Sequence, residues 1–159
     1  MTMTFDISFV AQDEARESPV GTAIGVISIG SYRERFIAPT DYWTPEDYRE
    51  SWLNALRVVL GSEGKAALIT SLRDPIARGI VRWWPVYRVR AEIVLQEQLL
   101  MLADLTPAFD ISQPFRHVLP FSETDDEGTQ LSSWRTSVTA VENYLKRGGL
   151  RADGRLRRT

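Results

Sequence analysis

The chain contains no cysteine and a single histidine, His117, among its 159 residues. The absence of cysteine excludes disulfides, thiol catalysis and cysteine-ligated zinc or iron–sulfur sites. One imidazole excludes a multi-histidine metal site, and the sequence has neither a Gly-Xaa-Ser-Xaa-Gly motif nor a phosphate-binding glycine loop. We therefore predict a protein that is not an enzyme, with no catalytic residue, metal or cofactor, and we interpret His117 as an ordinary loop residue.

Long hydrophobic runs are also absent. No apolar run approaches the roughly 20 residues that a membrane helix requires, and the start of the sequence lacks the basic and apolar regions of a signal peptide. Hydrophobic residues make up 43% and charged residues 25% of the chain, a balance typical of a folded domain. We expect a cytoplasmic protein, with which the lack of cysteine is compatible, and no membrane partner.

Charge is distributed unevenly along the chain. Residues 146–159 contain six basic side chains and one acid, a net charge of +5. Because the whole chain has a net charge of −2, the first 145 residues carry −7. An acidic body disfavours nucleic acid as a partner and favours a basic protein. The basic segment is interpreted as a mobile tail over residues 148–159, after a single domain over residues 1–147.

The segment Trp83-Trp84-Pro85-Val86-Tyr87-Arg88 is the centre of the predicted fold. Neighbouring residues on a strand point to opposite faces, so both indoles are buried only if the strand is covered on both sides. Pro85 cannot donate to a ladder and is expected at an edge or a bulge. The apolar run from Ile93 to Leu102 begins four residues after Val89, which predicts an antiparallel hairpin.

Helix and strand patterns around this hairpin predict an α+β fold: a mainly antiparallel sheet packed against one main amphipathic helix, with a short C-terminal helix. The main helix is predicted over residues 45–60, because Thr44 is a good N-cap, Pro45 suits the first helical position and Gly61 supplies a stop. Residues 139–147 form the short helix, which we expect Gly148 and Gly149 to end. Further strands are predicted over 5–10, 22–29, 32–37, 65–72 (an interior strand) and 132–138.

Charged loops are the candidate binding sites, since variable function usually lies in loops on a rigid scaffold. The densest acidic cluster, which contains Glu123, Asp125, Asp126 and Glu127, is interpreted as a docking loop for a basic partner, with a solvated turn as the alternative. Glu14 and Glu17 are the second choice. The scaffold is assigned to aromatic residues: Trp43, Trp52, Trp83, Trp84, Tyr87 and Trp134.

Several motifs together resemble the CdiI-type immunity proteins of contact-dependent growth inhibition systems, specifically the CdiI N-terminal domain family. The resemblance covers roughly residues 5–145, and its motifs are Ile27-Ser-Ile-Gly30 with Glu34 and Phe36, Tyr42-Trp43-Thr-Pro-Glu-Asp-Tyr48, Trp52-Leu-Asn-Ala-Leu56, Ala67-Leu-Ile-Thr-Ser71 with Asp74-Pro75, Trp83-Trp84-Pro85-Val-Tyr87-Arg88, Gln96-Glu-Gln-Leu-Leu100, Phe109-Asp-Ile111 with Pro114, and Gly128 with Ser132-Ser133-Trp134. Family members usually have a glycine-containing turn after the Tyr-Arg pair, where this chain has Val89-Arg90-Ala91.

The resemblance implies a cytoplasmic antidote that binds the C-terminal toxin domain of a CdiA-type effector and occludes its active site. A nuclease, including an RNase-A-like enzyme, is the toxin class that some relatives imply, and an acidic body suits a basic nuclease surface. The alternative from the residues alone is a small-ligand or nucleic-acid binding module that uses Trp83, Trp84 and the basic tail.

Overall fold

The computed structural model describes residues 3–11, 19–73, 79–105 and 108–158, and side chains up to Gly148. Eight strands and two α-helices follow one another along this part of the chain: β1 (Phe5–Phe9), β2 (Thr22–Ile29), β3 (Tyr32–Pro39), α1 (Pro45–Leu60), β4 (Lys65–Ser71), β5 (Ile80–Val89), β6 (Glu92–Gln96), β7 (Gln98–Met101), β8 (Ser133–Ser137) and α2 (Val138–Arg158). Two short 3-10 helices span Leu102–Asp104 and Pro114–His117.

The strands form two antiparallel sheets, and the predicted α+β class is confirmed. The first sheet has the order β1-β2-β3, and the second has the order β4-β5-β6-β8 with β7 also paired to β5. β2 turns directly back into β3 through Gly30, whose φ of +60° suits a tight turn. The first sheet and α1 pack against the second sheet, so the main core lies between them.

The predicted hairpin is present, and its long arm β5 pairs with β4 on one side and with β6 and β7 on the other. The strand that faces β5 is interrupted at Glu97, between β6 and β7. The register is the same on both sides of this break, since Val86 faces Leu95 and Trp83 faces Gln98. The break at Glu97 lies where Pro85, lacking an N–H, has nothing to donate to the partner strand. A single run of sequence therefore becomes two strands.

Arg90 makes the turn of this hairpin in the left-handed region, with φ of 62°. Glycine adopts that conformation without a steric penalty, whereas a residue with a Cβ, such as arginine, rarely does. The preceding Arg88 donates from Nη1 to the carbonyl of Leu60, 3.2 Å away, at the end of α1. A cation there complements the partial negative charge of a helix C-terminus.

Helix α1 begins and ends as its sequence predicts. The Thr44 hydroxyl accepts a hydrogen bond from the Asp47 N–H at 3.1 Å, and the Asp47 carboxylate accepts one from the Thr44 N–H at 2.9 Å. This reciprocal pair is a capping box, and Gly61 is the C-cap. One face of the helix is buried, through Tyr48, Trp52, Leu53, Leu56 and Val59.

Aromatic rings join α1 to the first sheet. Trp52 stacks on Phe9 with 5.1 Å between ring centroids and meets Phe36 edge-on at 5.9 Å. The Phe36 ring lies over Gly25 on the neighbouring strand, where a Cβ would overlap it. Trp52 also donates from Nε1 to the carbonyl of Ile69 at 2.7 Å, so one side chain connects the helix to both sheets.

Two sequence predictions require correction. β4 was predicted as an interior strand, but it lies at the end of the hydrogen-bonding order; its apolar residues are buried because α1 and β3 pack against it. Helix α2 was predicted to end at Gly148-Gly149, but it continues to Arg158. A Cβ at Gly148 would come within 2.6 Å of Leu53, so this glycine allows close packing of α2 on α1 rather than ending the helix.

Replacing either Trp52 or Trp84 by alanine should lower the free energy of unfolding by about 3–5 kcal/mol, the usual cost of removing a large buried aromatic side chain. Chemical denaturation of both variants measures this, with Tyr42→Ala as the control because Tyr42 is 44% exposed. Unchanged unfolding midpoints for the tryptophan variants would contradict their role in the core.

Candidate functional site

The adjacent tryptophans at the centre of β5 are buried on opposite faces of the second sheet, at 2% and 1% exposure. Trp83 packs against Phe109 at 6.3 Å, and Trp84 packs against Trp134 at 5.2 Å. Segment 108–131 covers the first face, and the first sheet covers the second. Neither indole presents an open surface on which a ligand could stack.

The other aromatic residues assigned to the scaffold lie in or against the core. The Tyr87 hydroxyl donates to the carbonyl of Leu119 at 2.9 Å and thereby fixes the covering segment. Trp43 meets Tyr48 edge-on at 5.2 Å, and Trp134 stacks on Tyr32 at 4.4 Å. These residues hold the two sheets and α1 together.

The acidic loop predicted to dock a partner is an ordered turn at the surface. Gln96, itself buried, donates to the carbonyl of Ser122 at 2.8 Å, and the Leu131 N–H donates to the carbonyl of Glu123 at 2.8 Å. Asp125 accepts the N–H groups of Glu127 and Thr129 at 2.9 Å each. The loop is therefore held in one conformation at both ends.

The four acids of this loop differ in what they do. Glu123 pairs with Arg135 at 3.5 Å, and Arg135 also reaches Glu92 at 3.7 Å. All four are exposed, but Asp125 accepts the hydrogen bonds that hold the turn, and Asp126 and Glu127 have no part in those bonds. The loop thus combines two structural acids with two that are available to a partner. The second-choice residues Glu14 and Glu17 lie outside the described residues.

His117 contributes to the segment that covers Trp83. Its Nε2 accepts the N–H of Asp110 at 2.8 Å, and its ring packs on Phe109 at 5.1 Å. The neighbouring Ser112 hydroxyl donates to the carboxylate of Asp110 at 2.6 Å, and this hydrogen bond holds the pKa of Asp110 below its usual value. The imidazole supports a loop and has no nucleophile beside it among these contacts.

A pair of carboxyl groups that sequence reasoning missed lies where the two sheets meet. Glu34 on β3 lies beside Glu97, between β6 and β7, and near Tyr32. Partial burial, together with the Glu97 carboxyl, raises the pKa of Glu34 to about 7, while Tyr32 and, more weakly, Arg82 act in the opposite direction. The pair can hold a proton near neutral pH and is an attractive site for a cationic group.

Strand alternation was the signal that could have revealed Glu34. Along β3, Tyr32, Glu34, Phe36 and Ala38 share one face, and their partners Ile29, Ile27, Gly25 and Ala23 lie opposite them. A carboxyl group at the second of four positions that otherwise face the core requires a polar partner. Glu97, 63 positions further along, could not be identified as that partner without the fold.

A groove of about 290 Å³ lies between α1 and the 111–115 segment. Its walls are mainly apolar, with Trp43, Val58, Ile111 and Phe115 among them, and Glu50 at its margin. The second acid there, Asp47, is occupied by the capping box of α1. The groove thus combines mainly apolar walls with the exposed carboxylate of Glu50.

Within the ranges that the structure describes, no three residues among His, Asp and Glu come together in a way that could hold a metal ion. Over the same ranges, no helix combines the length and the apolar character needed to cross a membrane.

Comparisons with known proteins identify the family. The model of the CdiI N-terminal domain matches residues 38–144, more than half of the chain. The chain therefore belongs to the CdiI N-terminal domain family, and the resemblance to CdiI-type immunity proteins is confirmed. It is 25% identical over 118 residues to "Immunity protein CdiI" of Enterobacter cloacae subsp. cloacae, which covers 74% of this chain and 81% of that relative.

A solved structure shares the fold. A chain of the "CdiA-CT/CdiI toxin and immunity complex from Enterobacter cloacae" superposes with a TM-score of 0.81 at 22% identity, covering 92% of this chain and 99% of that one. At that identity the likeness establishes the arrangement of helices and strands.

The carboxyl pair should make stability depend on pH. Because the pKa of Glu34 is raised from 4.5 to about 7 on folding, the folded protein binds the proton more tightly than the unfolded chain. The stabilisation that comes from this bound proton is complete below pH 4.5 and is lost as pH rises through about 7. The free energy of unfolding, measured with urea, should therefore fall more between pH 5 and pH 8 in the parent than in Glu34→Gln.

Glu63→Gln, a change at an exposed acid, is the control and should keep the parental pH dependence. An equal loss of stability between pH 5 and pH 8 in the parent and in Glu34→Gln would show that Glu34 has no such role.

Proposed function

We propose that this protein is an immunity protein that binds the C-terminal toxin domain of its cognate CdiA-type effector and neutralises it in the cytoplasm. The observation that supports this most strongly is membership of the CdiI N-terminal domain family over residues 38–144. The relative named "Immunity protein CdiI" and the fold shared with the toxin and immunity complex support the same function.

Neutralisation works by binding. The toxin domain is a nuclease whose active site the immunity protein occludes, and because a nuclease surface must hold phosphates it is basic. The first 145 residues carry a net charge of −7, which matches such a surface in sign. Opposite potentials speed encounter and reject wrong partners more than they set the final affinity.

The alternative, a small-ligand or nucleic-acid module built on Trp83 and Trp84, has less support. Both indoles are buried beneath other parts of the fold, at 2% and 1% exposure. A stacking platform needs an accessible ring face.

Titrating the cognate CdiA-type toxin domain with the purified protein tests the proposed function. Toxin activity should fall linearly and vanish at one equivalent, because an inhibitor that occludes an active site acts one to one. His117→Ala, if folded, should give the same end point. Loss of toxin activity far below one equivalent would indicate turnover, and undiminished activity at excess would contradict the immunity function.

The acidic loop should act on the rate of association. Changing Asp126→Asn and Glu127→Gln together leaves the Asp125 turn and the Glu123–Arg135 pair in place. Binding to the toxin domain, followed by stopped flow across an ionic-strength series, should be slower and depend less on salt than for the parent, with an unchanged unfolding midpoint.

The matched control for this pair is Glu63→Gln with Glu142→Gln, which removes the same charge at exposed sites elsewhere. If both double variants slow association equally, overall charge rather than the loop is responsible. If the loop variant binds at the parental rate at every salt concentration, the loop takes no part in docking.

A further inference from the structure

Strand β7 leaves one backbone edge of the second sheet open. In the part of the chain that the structure describes, β7 pairs with β5 alone, because β8 pairs only with β6. The Leu102 N–H donates to the carbonyl of Gly79 at 3.0 Å, so alternate residues 98, 100 and 102 direct their backbone groups toward β5. The N–H and C=O groups of Leu99 and Met101 therefore point away from the sheet.

The side chains along this edge are apolar and accessible. Leu99 is 53% exposed and Met101 46% exposed, and they face Arg82 and Ile80 across the ladder. Ile80 is itself 51% exposed, so three large apolar side chains lie together on one face of the edge. Proteins usually protect an open edge with lysine, proline or a bulge, and Gln98–Met101 contains none of these.

Acidic groups flank the same edge. Glu97 immediately precedes β7 and lies beside Glu34, while the exposed Asp104 follows Met101 by three residues. Arg82 lies opposite Leu99 and is a nearby cation. An occupant of this edge therefore meets apolar side chains in the middle and carboxyl groups toward both ends.

We propose, building on the immunity function above, that the toxin domain docks on β7 through an extended segment that adds a strand to the second sheet. The segment pairs with the outward backbone groups of Leu99 and Met101, packs an apolar side chain on Leu99, Met101 and Ile80, and places a lysine or arginine beside Glu34 and Glu97. Backbone pairing supplies affinity, and the basic side chain supplies register and specificity.

Charge favours a basic partner over a second copy of this chain. Two copies paired through β7 would each bring Glu97 and Asp104 to the same short interface, and like charges placed together oppose association. A basic toxin surface meets the opposite sign at the same positions.

Leu99→Pro tests the edge directly. Proline removes the outward N–H of Leu99 but leaves the bonds from Gln98 and Leu100 to β5, and proline is tolerated at such an edge position. Leu99→Ala is the matched control, since it loses the same apolar side chain and keeps the N–H. Calorimetric titration of the full chain with the toxin domain should show about tenfold weaker binding for Leu99→Pro than for Leu99→Ala.

Unfolding midpoints of the two variants show whether Leu99→Pro folds, and Met101→Lys, which charges the edge without disturbing its backbone, provides a second test if it does not. Equal affinity of the parent, Leu99→Pro and Met101→Lys would overturn the edge proposal and leave the immunity function standing. No binding by the parent would instead defeat the immunity function. A parent that sediments as a dimer and becomes a monomer on Leu99→Pro would show that a second copy occupies the edge, and would also overturn the proposal.

Discussion

The burial of Trp83 and Trp84 on opposite faces of β5 is the constraint on which the rest of the fold depends. Each indole buries on the order of 150–250 Å², and leaving either in water would cost a large fraction of the net stability of a domain. The first sheet covers Trp84 through Tyr32, with Trp134 of β8 packed beside both rings, while the segment from Phe109 onward covers Trp83. The domain therefore has three layers, because the first sheet covers one face of β5 and the 108–131 segment covers the other.

This arrangement separates the scaffold from the surfaces that can meet a partner. Trp52, Trp83 and Trp84 are buried, and the hydrogen bonds of Tyr48, Trp52 and Tyr87 connect elements distant in sequence. The acidic turn and the β7 edge lie outside these layers and can change without repacking the core. Such a separation lets surface residues vary while the fold persists.

The elements that the sequence predicts well are those specified by neighbouring residues. The capping box of Thr44 and Asp47 marks the start of α1, and strand alternation with a short turn predicts the β5–β6 hairpin. The failures involve residues distant in sequence. Gly148 was predicted to stop a helix because the sequence does not show that Leu53 lies beside it. The carboxyl pair was missed because only the fold places Glu97 beside Glu34. The acidic loop was predicted from local charge, and only the structure distinguishes Asp125, which holds the turn, from the exposed Asp126 and Glu127.

Hydrogen–deuterium exchange of the full chain, alone and with one equivalent of the toxin domain, tests most directly how this scaffold presents its binding surface. The outward amides of Leu99 and Met101 have no partner strand among the described residues and should exchange quickly in the free protein. Toxin binding should slow the exchange of these two amides strongly, while amides within β5 remain protected in both states. Unchanged exchange at Leu99 and Met101, with new protection confined to another face, would contradict it.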